Sequence, residues 1–74
     1  MPVMFGDIDY VFDSHPPETE AQIEGYRAIR AAGKALAETI LNHSPICADQ
    51  TAAVRHVRDA VMTANAAIAL KGLV

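Results

Sequence analysis

The side chains with the clearest chemical potential are basic and lie at helical spacing. Arg27, Arg30 and Lys34 are three and four residues apart, so on an α-helix they share one strip. Arg58, Met62 and Asn65 repeat that spacing further along, with Thr51 two turns before Arg58. A guanidinium presents two parallel donors to a phosphate, and an ammonium presents a compact point charge. An asparagine amide can pair with the edge of a base. Tyr26, or an aromatic nearer the N-terminus, could stack on a base. Together these groups suit a small phosphorylated nucleotide. The same spacing also describes a solvated basic face with local pairs such as Arg55–Asp59.

Catalytic chemistry is poorly represented. The sequence contains no glycine-rich phosphate loop and no nucleophile elbow. His15, His43 and His56 are scattered, with no metal-ligand spacing and no Cys/His cluster. Cys47 is the single cysteine; it sits near an expected helix start, but no histidine is placed to activate it. The reading is therefore a non-enzymatic protein with no catalytic residue, no metal and no cofactor.

The charge is segregated. Every charged side chain before Arg27 is acidic, namely Asp7, Asp9, Asp13, Glu18, Glu20 and Glu24. From Arg27 onward the six bases are opposed only by Glu38, Asp49 and Asp59. With a net charge of −3, long nucleic acid is a poor partner for the whole chain, whereas a small polyphosphorylated anion suits the basic body. No membrane span and no signal peptide are expected, because acids occupy the first residues and no long apolar run follows.

The elements that would position these groups are helical. Pro16-Pro17 separates an N-terminal arm, residues 1–17, from a first long helix over 18–43. Thr19 and Gln22 have capping-box spacing at its start. Pro45 breaks the chain, and a second long helix is expected over 47–71, ended by Gly72. A connection this short forces the two helices antiparallel. Tyr26, Ile29, Gly33, Leu36 and Ile40 form one apolar seam, and Val54, Val57, Val61, Ala64 and Ile68 form its match. Gly33 in mid-helix costs about 1 kcal/mol of propensity against alanine, which points to close backbone approach. The fold class is thus all-α, a single domain built on a two-helix hairpin with a short N-terminal arm. Apolar surface beyond the seams, in a chain of 74 residues without an internal disulfide, predicts a helical homo-oligomer.

The quoted residues resemble a known family. The pattern His15-Pro16-Pro17, then Tyr26 to Ala37 (YRAIRAAGKALA), then Ser44-Pro45, then Ala60 to Ala69 (AVMTANAAIA) is similar to the phage anti-CBASS cyclic-oligonucleotide sponges, whose helical hairpin is shared with the phage anti-Thoeris sponge. The resemblance spans roughly residues 12–70. It implies a non-catalytic homohexamer in the host bacterial cytoplasm that sequesters the cyclic nucleotides made as immune signals. Cyclic dinucleotides would sit between paired protomers, and cyclic trinucleotides in separate pockets. Lys34 and Arg30 match the basic part of the pattern. The family's usual aromatic before His-Pro-Pro is replaced here by Ser14, with Phe12 and Tyr10 further back. The expected ligand-binding set is Phe12, Ser14, His15, Tyr26, Arg30, Lys34, Arg58 and Asn65. The competing reading is a helical oligomeric protein–protein interaction module that inhibits or scaffolds a host factor.

Overall fold

The computed structural model describes residues 4–72; the first three residues of the expected arm lie outside the described residues. The element order is a 3-10 turn, Phe5–Asp7, followed by α1, Ile8–Phe12, α2, Glu20–His43, and α3, Ala48–Ala69. The protein is all-helical among the described residues, and α2 and α3 form the antiparallel hairpin.

Local chemistry sets the helix ends. Thr19 is extended and its Oγ1 accepts from the Gln22 backbone N–H at 3.1 Å. The Gln22 side chain reaches back to the Glu18 N–H at 2.7 Å, one residue further than a capping box would. The helix therefore begins at Glu20 rather than 18. At the other end Ser44 is extended, and its N–H bonds to the Ile40 carbonyl at 3.0 Å before Pro45 prevents continuation.

Cys47 caps α3 through its extended backbone, without a side-chain bond to the helix N-terminus. The C-terminus differs from expectation in an informative way. Gly72 N–H bonds to Ala67 O at 3.0 Å and Lys71 N–H to Ile68 O at 3.2 Å, the bond pair of a Schellman motif. The first left-handed residue of that motif is Lys71, with φ of 53°. The helix thus ends at Ala69, and Gly72, with φ of 77°, completes the turn one residue later. Lys71 in this turn extends its ammonium to Glu18 at 3.0 Å, clamping the open end of the hairpin. The carboxylate beside it raises the Lys71 pKa, through their hydrogen bond first and their charge attraction second.

The seam is close but thinly covered. A Cβ at Gly33 would overlap Val61 Cγ2, and one at Gly25 would lie 3.1 Å from Ile68 Cδ1. The helix axes thus approach at these two glycines. Leu70, 6% exposed, and Gln50, 8% exposed, are the buried side chains among the described residues. Gln50 donates to the Ser44 carbonyl at 3.1 Å and to Ser44 Oγ at 3.2 Å, which fastens the loop to α3. Leu36, placed on the seam by its spacing, is 52% exposed. Two helices cannot enclose a core; they leave the flanks of the seam open. Among the described residues the backbone of α1 comes close only to the turn that precedes it, so the arm does not close those flanks.

Candidate functional site

The hairpin has two unlike long faces. On one, Arg30 and Lys34 from α2 and Arg58 from α3 line a groove of about 380 Å3, floored by Gly33, Val54, Val57 and Val61. Gly33 lets α3 approach, and the antiparallel register then brings Arg58 opposite the Arg30–Lys34 strip. All three cationic side chains are exposed. Arg27, the other base of the strip, is turned toward Glu24 at 3.8 Å. Three positive charges above an apolar floor in one shallow channel attract a compact polyanion, and the planar guanidinia can each engage a phosphate through two donors.

Asn65 lies two turns beyond Arg58 and hence on the same side of α3. Its residue is half-buried, and its Oδ1 is buried with no hydrogen-bond partner among the described residues. A buried acceptor left unpaired costs about 1–3 kcal/mol. Tyr26 is half-buried on α2, where its seam position makes it part of the packing between the helices.

The three arm residues of the expected set are placed differently. Phe12 closes α1 and is 79% exposed. Ser14 is exposed in the connection that follows. His15 is held within the arm, its ring Nε2 against the Tyr10 carbonyl oxygen and its ring edge-on to Tyr10 at 4.7 Å. The structure thus brings Arg30, Lys34 and Arg58 into one groove and leaves Phe12, Ser14 and His15 off it. Gln50, whose amide fastens the loop, was not singled out from sequence; a glutamine beside Asp49 and Thr51 at a helix start carries no distinguishing pattern.

The opposite face is apolar. Ile29, Ala32, Leu36, Ala60 and Ala64 line a channel of about 500 Å3, with His56 at its edge. Arg55 and Asp59 border a separate shallow depression on α3, and the ion pairs among the described residues are elsewhere. No helix among the described residues is long and apolar enough to cross a membrane.

A family model described as Acb2/Tad1, hairpin domain, matches residues 6–69. That match covers the arm helix, both long helices and the groove between them, so the chain belongs to the Acb2/Tad1 hairpin family, the anti-CBASS and anti-Thoeris sponges that its residues resemble. Membership implies a sponge-like phage protein. No curated protein and no solved structure matches the chain.

Proposed function

We propose that this protein sequesters cyclic di- or trinucleotide second messengers of bacterial immunity without cleaving them. The observation that carries the reading is the groove that joins Arg30, Lys34 and Arg58 across the two helices. Several phosphates close together on a small ring are the ligand such a groove favours over a single phosphate. Arg30 and Arg58 would take phosphate oxygens pairwise, Lys34 would add a point charge, and Asn65, two turns along α3 from Arg58, would pair with a base edge. Family membership supports storage rather than turnover.

The working form is a homo-oligomer, a hexamer by the family resemblance, in the cytoplasm of the infected bacterium. The apolar channel on the opposite face supports self-association, because its lining stays wet in a single chain. Phe12, Ser14 and His15 would then reach a ligand from the arm of another copy, with Phe12 in place of the stacking aromatic absent at Ser14. The same channel favours the second reading, a module that docks on a host protein.

One experiment separates these readings. The protein is mixed with a panel of cyclic di- and trinucleotides, and bound material is released by heat or protease. Uptake and release of intact nucleotide supports the sponge. Altered nucleotide identifies an enzyme, and no uptake leaves the protein–protein module.

A further inference from the structure

The arm carries an amphipathic stripe whose two phenylalanines stand largely open in their own chain. Phe5, Ile8 and Phe12 follow three- and four-residue spacing and are 94%, 42% and 79% exposed. Asp9 and Asp13, one turn apart, each follow a stripe residue, so carboxylates run along its edge. The basic groove is the chemical complement of this stripe, with an apolar floor of Val54, Val57 and Val61 and a cationic rim of Arg30, Lys34 and Arg58.

The arm is steered away from the groove of its own chain. Pro16-Pro17 stiffens the connection. His15 is fastened to Tyr10, and Glu18 is tied to Lys71 at the open end of the hairpin. Among the described residues the backbone of α1 does not come close to that of α2 or α3.

We infer that the arm of a second copy docks along the basic groove in the ligand-free protein, with the Asp9 and Asp13 carboxylates holding the places that ligand phosphates take. This deepens the proposed function and rests on its assignment of the groove as the phosphate site. The carboxylates neutralise the guanidinium and ammonium groups while the groove is empty. A ligand with two or three phosphates displaces both acids at once, whereas a mononucleotide replaces only one. The arm thereby competes with the ligand for the groove.

The test has two arms. In a mixed sample of isotopically labelled and unlabelled protein, filtered NOEs should connect the Phe12 ring of one copy to Val57 and Val61 methyls of another. Separately, Asp9→Asn with Asp13→Asn should tighten uptake of fluorescent cyclic di-adenylate and cyclic tri-adenylate by roughly three- to tenfold. It should tighten adenosine monophosphate uptake less, because that ligand displaces one carboxylate rather than two. Absence of intermolecular NOEs, NOEs only within one chain, or unchanged affinity in a variant whose parent binds would overturn the inference. Intermolecular NOEs in a protein that takes up no cyclic nucleotide would support arm docking and instead remove the proposed function.

Discussion

Substituting alanine at each of the two seam glycines separates close approach from simple helix propensity. At either site alanine gains about 1 kcal/mol of helix propensity over glycine. What opposes this gain differs. At Gly25 the new Cβ would stand 3.1 Å from Ile68 Cδ1, the far end of a side chain that can turn aside by a few tenths of an ångström. Gly25→Ala should therefore stabilise the protein, by up to about 1 kcal/mol. At Gly33 the new Cβ would overlap Val61 Cγ2, with Val57 Cγ1 a further 3.7 Å neighbour. That methyl is fixed one bond from Val61 Cβ on a β-branched side chain with one favoured helical rotamer. Relief requires the helices to separate, an overpacking cost of about 1–3 kcal/mol. Gly33→Ala should thus be neutral to about 2 kcal/mol destabilising despite its better propensity. For a domain of this size about 1 kcal/mol corresponds to roughly 4–8 °C in Tm. The two variants should melt on opposite sides of the parent, or at least several degrees apart. Melts must be compared at one protomer concentration, since self-association shifts Tm by mass action. Two alanines that stabilise equally would refute the close packing of α2 on α3 at Gly33.

Three further outcomes follow from the same geometry. Lys34→Ala, Arg30→Ala and Arg58→Ala should each weaken cyclic-nucleotide binding about tenfold or more, the loss of a charge-assisted bond worth about 1.5–3 kcal/mol; unchanged isothermal titrations for all three would move the phosphate site off the groove. Gln50→Ala should cost about 1–2 kcal/mol, because the Ser44 carbonyl loses its donor where loop meets helix; urea unfolding against the parent measures this. Lys71 titrates at a raised pKa in the folded chain, so its ion pair with Glu18 contributes fully below the ordinary lysine pKa, 10.5, and is lost as pH rises through the higher folded value. The Tm difference between the parent and Lys71→Gln should therefore be constant near neutrality and shrink toward zero in strongly alkaline buffer; a difference that stays constant there would show that the ammonium makes no such bond.

The helices, their breaks and the glycine contact are legible in the chain because each is a local or periodic property. Pro16-Pro17 and Pro45 forbid helix where they stand, Thr19 and Gln22 supply a cap through side chains three residues apart, and the matched seams repeat with the helix itself. Gly33 is conspicuous because a mid-helix glycine is unfavourable unless a neighbour needs the space. The Arg30–Lys34 strip is visible for the same reason, since one helix places both.

Tertiary structure decided everything that depends on two elements meeting. Arg58 joins Arg30 and Lys34 only because the hairpin register sets α3 beside that strip; spacing within either helix is silent about the other. Lys71 pairs with Glu18 across residues far apart in the chain, and its left-handed turn is fixed by the Schellman bonds rather than by any preference of lysine. Leu36 carries the seam's periodicity yet stays half-open, because two helices bury only the line along which they touch. The arm residues, contiguous with the family pattern in sequence, stand apart from the groove because a stiff Pro-Pro connection and the His15–Tyr10 contact set the direction of α1. Periodicity reports which side of a helix is apolar; only the packed chain determines what that side faces.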